Sequence, residues 1–184
     1  MKPKTAGRGY GKSHVMGSNG PTARFATEDN VSLHSGLTAD AQVVTLRGLC
    51  TVQDLRPGDR VVTRGQGAVA VTAVAHHSVV TRAVYVIAGS LGHHRPDRDT
   101  LLPAGQTIHV RDWRAQALNN SHSVTVTAAA LVDGEYVRDI GFMPLALYRI
   151  FCAQPQIIYA DGMELGTAGT CAAAVKTAAP SYPC

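Results

Sequence analysis

Aromatic side chains are scarce in this 184-residue sequence, at 5%, and charged ones are sparse at 16%. The first shortage leaves Val, Leu, Ile and Ala to build a core, and an apolar share of 45% is enough for one. The second leaves little surface charge for a free-floating monomer. No run of about 18 apolar residues occurs, which excludes a helical membrane span. No apolar segment follows the first Met, which argues against a secretory signal and makes the cytosol the expected compartment. None of the four cysteines forms a C-x-x-C pair. In a reducing compartment Cys50 and Cys152, set in apolar stretches, are expected as small core fillers. Cys171 and Cys184 fall near the end of the chain, where pairing between them stays an alternative. No serine sits in a Gly-x-Ser-x-Gly elbow; Gly89-Ser90-Leu91-Gly92 reads as a turn. Gly7, Gly9 and Gly11 before Lys12-Ser13 lack the spacer and the preceding strand of a phosphate loop.

What is present falls into three parts. Residues 1–35 read as an extended, Gly-rich leader with no apolar period. The formal net charge is +4, and Lys2, Lys4, Arg8 and Lys12 all precede the first acids, Glu28 and Asp29. With Arg24 they are the candidate contacts to an acidic protein surface, anionic lipid or nucleic acid. Residues 36–166 alternate short apolar runs with turn signals. Strands are expected at 43–46, 60–63, 68–75, 83–87, 106–110, 123–127, 136–140, 145–152 and 156–160, with a single helical stretch at 112–118. Pro57-Gly58-Asp59 and Asp161-Gly162 are the strongest turns. The pattern is all-β. Residues 167–184, rich in Ala, Thr and Pro, read as a second tail.

An internal echo lies within the middle part. Leu55-Arg56-Pro57-Gly58-Asp59-Arg60-Val61 and Leu131-Val132-Asp133-Gly134-Glu135-Tyr136-Val137 are both Leu-x-x-Gly-acid-x-Val followed by a strand. Two halves built alike imply pseudo-twofold symmetry in one domain.

Other polar groups have plainer readings. Adjacent His76-His77 point to opposite faces of a strand, so the pair does not gather on a metal. His93-His94 read as loop residues and His109 as a strand-end polar contact. The Asp97/Asp99 and Asp133/Glu135 pairs read as solvated turn acids. Trp113, between Arg111 and Arg114, reads as packing over a sheet edge rather than stacking on a base. No cofactor or metal is implied.

In the order Val44-Thr45-Leu46-Arg47-Gly48, Val52 to Thr63, Ala88 to Gly92, Arg98-Asp99, Asp112 to Ala115 and Tyr159 to Leu165, the chain resembles the bacterial Hint (hedgehog/intein-like) domain family. The resemblance covers roughly residues 36–166. It implies a flat, horseshoe-like all-β disc with two similar halves, agreeing with the echo. Active members of that family open with a Cys that attacks the preceding carbonyl, and use a Thr/Ser-x-x-His segment to polarise the same peptide bond. Here the Cys position falls on Gly36. The hydroxyl falls on Pro103 and the His on Gln106, within Pro103-Ala104-Gly105-Gln106. Ala153-Gln154-Pro155-Gln156 supplies no later histidine. Glycine has no nucleophile, and a Gln amide carries no proton at neutral pH.

The expected function is therefore a non-catalytic accessory subunit or interaction module of a larger assembly, its tails lying along partner proteins. A membrane-associated, respiratory-type complex is the expected setting. Two alternatives stand beside it. One is an autoprocessing protein with displaced residues, Ser35 being the nearest hydroxyl. The other is a weak nucleic-acid binder working through the leader.

Overall fold

The computed structural model describes residues 34–169, all within the compact unit Ser32–Cys184. Lys2, Lys4, Arg8, Lys12, Arg24, Cys171 and Cys184 lie outside the described residues. The described chain is all-β. Its strands are β1 (Leu37–Thr38), β2 (Gln42–Thr45), β3 (Gly48–Thr51), β4 (Arg60–Thr63), β5 (Gly67–Val86), β6 (Thr100–Pro103), β7 (Thr107–Val110), β8 (Val124–Thr127), β9 (Val137–Cys152), β10 (Ile157–Ala160), β11 (Met163–Gly166) and β12 (Ala168–Gly169). One helix, α1 (Trp113–Asn119), separates β7 from β8. Asp112 caps it by accepting the Arg114 amide, and Asn120 ends it in a left-handed conformation. No helix among the described residues is long and apolar enough to cross a membrane.

The hydrogen-bonded strand order is β1-β9-β5-β4-β2-β10-β11-β7-β8. Strands β3, β6 and β12 attach to β2, β5 and β9, and only the β12–β9 pair is parallel. Beginning and end of the domain interlock. Val43 of β2 pairs with Ala160 of β10, and Leu37 of β1 with Tyr148 of β9. The core is aliphatic, as the shortage of rings requires. Val43, Val61, Val84, Val137, Ile158 and Leu165 are buried together, and Phe151 is the one buried aromatic among the described residues. Cys152 is buried, and that burial pushes its thiol up; Cys50 packs half-buried against the core.

The largest departure from expectation is at the centre. The expected strands 68–75 and 83–87 are one strand of 20 residues, and 136–140 and 145–152 are one strand of 16. They pair antiparallel from Val71↔Cys152 to Val86↔Val137, with irregularities between Val71 and Ala73 and between Ala83 and Val84. From Thr72 to Val80 no residue is fully buried. The apolar cover in this stretch comes from β9, where Leu145 and Leu147 are buried opposite Val79 and His77, so β5 needs no strict apolar alternation and His76-His77-Ser78 continue the strand rather than break it. The echoed segments are built alike. Each has a 3-10 turn (Val52–Asp54, Ala128–Leu131), then a glycine at positive φ (Gly58, Gly134), then a strand pairing with β5, β4 at one end and β9 at the other.

Several polar readings change. Asp133 is a turn-builder: its Oδ1 accepts the amides of Glu135, Tyr136 and Val137. Asp99 accepts the Tyr85 hydroxyl at 2.5 Å and the Ala88 amide at 2.8 Å. Trp113 is 70% exposed and packs over no sheet edge; the Arg114 guanidinium lies 4.9 Å from its ring centre. Strand pairing reaches Ala168–Gly169, inside the stretch read as a tail.

Candidate functional site

The fold brings together Gly36 and Gln106, two of the three positions that the family resemblance singles out. Strand β6 and the turn after it place Gln106, whose amide donates to the Pro103 carbonyl at 2.9 Å. Strand β1, held on β9, places Gly36. The Gly36 N–H donates to Gln106 Oε1 at 2.9 Å, across 70 residues of sequence. Gln106 is fully buried. Both its amide protons are engaged, on the carbonyls of Thr107 and Gly166, each at 3.0 Å. That network fixes the amide orientation, because the reversed one would aim an NH2 at the Gly36 N–H and an oxygen at two carbonyls. Pro103 is buried and pairs with Ala83 of β5; it offers neither a hydroxyl nor an N–H.

The backbone at Gly36 suits glycine alone. Its φ is +147°, and a Cβ there would stand 3.1 Å from the Tyr148 carbonyl oxygen and 3.3 Å from Leu147 Cβ. Ser35, Tyr148 and Arg149 line the same small cleft with Gly36 and Gln106. So the peptide joining Ser35 to Gly36 has its N–H bound by an amide oxygen. Neither side chain in that contact is a nucleophile or a proton donor at neutral pH.

Among the described residues no three His, Cys, Asp or Glu side chains gather around one point. The His76 ring lies 4.6 Å from that of Tyr148. Burial, with the nearby charges of His34, Arg149 and His76, holds His77 below the ordinary histidine range.

One cluster was not foreseen. Glu164, on β11, has no exposed side-chain surface. Arg64 Nη1 reaches its Oε2 at 2.7 Å; Arg95 Nη1 and Arg111 Nη2 reach Oε1 at 2.9 and 2.5 Å. Burial opposes ionisation of Glu164, but Arg111 and Arg64, with the hydrogen bonds of Arg64 and Arg95, outweigh it and hold the carboxyl below its usual range. His109, expected as a strand-end contact, holds Thr125 Oγ1 through Nδ1 at 2.9 Å and points Nε2 at Glu164, 3.9 Å from Oε2. Burial and Arg64 lower its pKa, Glu164 pulls the other way, and Arg111 lowers it further. The sequence signal for this cluster was a lone acid between Met163 and Leu165 in an apolar strand.

The family model for the Hint domain matches residues 35–171. The chain belongs to the Hint domain family. Among solved structures it is similar to a bacterial intein-like domain from Clostridium thermocellum, at 13% identity and a TM-score of 0.49, covering 73% of this chain and 99% of that one. It is similar also to a DnaB intein from Synechocystis sp. PCC 6803, at 10% identity and a TM-score of 0.48, with 73% and 99% covered. The gp41-1 intein follows at 11% identity and a TM-score of 0.45, with 73% and 98% covered. No curated protein matches the sequence.

Proposed function

We propose that this Hint domain does not process itself and instead serves as an accessory subunit or interaction module of a larger assembly. One observation carries the first half. The N–H of the Ser35–Gly36 peptide is bound by Gln106, a side chain with no proton to give, and Gly36 has no nucleophile to attack the preceding carbonyl. The second half rests on composition: a low charged fraction, and a leader whose Lys2, Lys4, Arg8, Lys12 and Arg24 suit an acidic protein surface. A membrane-associated, respiratory-type complex is the first place to look for that partner.

Intact mass of the full chain, incubated with and without a thiol or hydroxylamine, tests the first half. A single uncleaved species is the expected result. A fragment starting at Ser35, released by attack of its hydroxyl on the preceding carbonyl and lost in Ser35→Ala, would overturn it. Native purification followed by mass spectrometry tests the second half. Co-migration with defined partners is expected, and a chain that always migrates alone would sink the subunit role.

A further inference from the structure

We propose that the cleft over Glu164 binds a phosphate group, either as the free anion or as the head of a phosphomonoester. Three guanidinium charges meet the Glu164 carboxylate, an excess of two positive charges in that cluster; Arg95 and Arg111 line the cleft, and Arg64 reaches the carboxylate from outside the lining. Asp112, on the cleft wall, does not correct the imbalance, since its Oδ2 is held by Arg114 at 2.7 Å. Donors also outnumber acceptors. Arg95 and Arg111 each commit one nitrogen to Glu164, leaving the rest of each five-donor fork unmatched among the described residues. His109 Nε2 has no hydrogen-bond partner and lies beyond bonding reach of Glu164. In the tautomer that accepts the Thr125 hydroxyl at Nδ1, Nε2 is a further donor without an acceptor.

An oxyanion with several acceptor oxygens and close to two negative charges at neutral pH supplies what the cluster lacks. Guanidinium forks match phosphate geometry in pairs of bonds. The cleft holds about 570 Å³, well beyond a bare phosphate, and falls in the range of small-molecule sites. Leu91, Ile108 and Met163 supply apolar wall beside the charges, which suits the organic part of a monoester. The cleft shares no lining residue with the one at Gly36, so this inference does not depend on whether the chain cleaves itself.

The test is a two-dimensional amide NMR titration of the full chain at low ionic strength, with inorganic phosphate, phenyl phosphate and acetate as probes. The expected result is saturable shifts concentrated at residues 91–95, 108–112 and 163–164 with the two phosphates only. Arg111→Gln is expected to weaken binding by about tenfold or more. Arg82→Gln, which breaks an exposed pair with Asp139 on the ribbon, is expected to leave it unchanged. Tighter binding of phenyl phosphate assigns a monoester; equal or tighter binding of inorganic phosphate assigns the free ion. Three outcomes overturn the proposal: no saturation in the millimolar range, equal shifts with acetate, or binding that survives Arg111→Gln. Should Arg111→Gln not fold, the wild-type shift map decides, since shifts scattered over the surface are likewise fatal to the idea.

Discussion

At the scale of single residues, Gly36 and Gln106 have adapted to each other. The Gln106 amide is matched at every proton, and the Gly36 backbone lies where side chains are rarely tolerated. Restoring the family's chemistry by Gly36→Cys with Gln106→His should therefore fail. The expected outcome is no cleavage by intact mass and a loss of about 1–3 kcal/mol in urea unfolding, from backbone strain and a disturbed buried network. Glu164 is the opposite case, a buried charge that its partners require. Glu164→Gln leaves three arginines facing one another. A loss of about 3 kcal/mol is expected, the low end for a broken buried pair because the arginines still reach water. The same groups set a pH dependence. Lowered values at His77 and His109 mean that the unfolded chain takes up protons first. Their contribution is full above about pH 6.5 and is lost as pH falls through their lowered values. Glu164 adds a second loss, present above about pH 4.3 and removed as pH falls through its own lowered value. Urea midpoints measured against pH should fall in these two stages, and His109→Asn should shrink the first. Gly36 and Gln106 could be singled out because each stands at a recognisable place in an ordered set of segments; the hydrogen bond between them came from the fold. The Glu164 cluster could not be, because its arginines come from chain segments up to 100 residues away and each alone reads as a surface cation.

At the scale of elements, turn chemistry was the most legible signal. Asp161 (φ +47°) and Gly162 (φ +72°) form the two-residue turn between β10 and β11, where Ala160 faces Met163. A Cβ on Gly162 would run into the Asp97 carboxylate. Gly162→Ala is expected to cost about 1–2 kcal/mol, read as a lower urea midpoint with an unchanged slope. Less legible were elements whose environment, rather than sequence period, defines them. Strand β3 begins on Gly48 and exposes Leu49, so its apolar pattern is inverted. Strand β12 has two residues and exists only through its parallel contact with β9. The β5–β9 ribbon looked like four strands because polar residues interrupt β5 at His76-His77-Ser78, and Gly141 and Pro144, ordinarily strand breakers, interrupt β9.

At the scale of the whole domain, the Leu55–Val61 and Leu131–Val137 echo pointed to two similar halves, and both segments occupy matching places against the two ends of β5. The interlocking of the domain's start and finish was not visible in any local pattern. Gly36 meets Gln106, Val43 meets Ala160, and the Gln42 amide donates to the Asp161 carboxylate at 3.0 Å. Those contacts have a consequence in time. Strand β1 has no strand partner until β9 has been made, and β2, paired early with β3 and β4, gains its contact with β10 only at the end, so a chain emerging from the ribosome must wait nearly its whole length before its first strand can settle. Closing such long loops early costs entropy that later contacts alone return. Refolding from urea should accordingly take milliseconds to seconds rather than microseconds. A chain stopped after residue 155, lacking β10 and β11, should show no cooperative unfolding by circular dichroism.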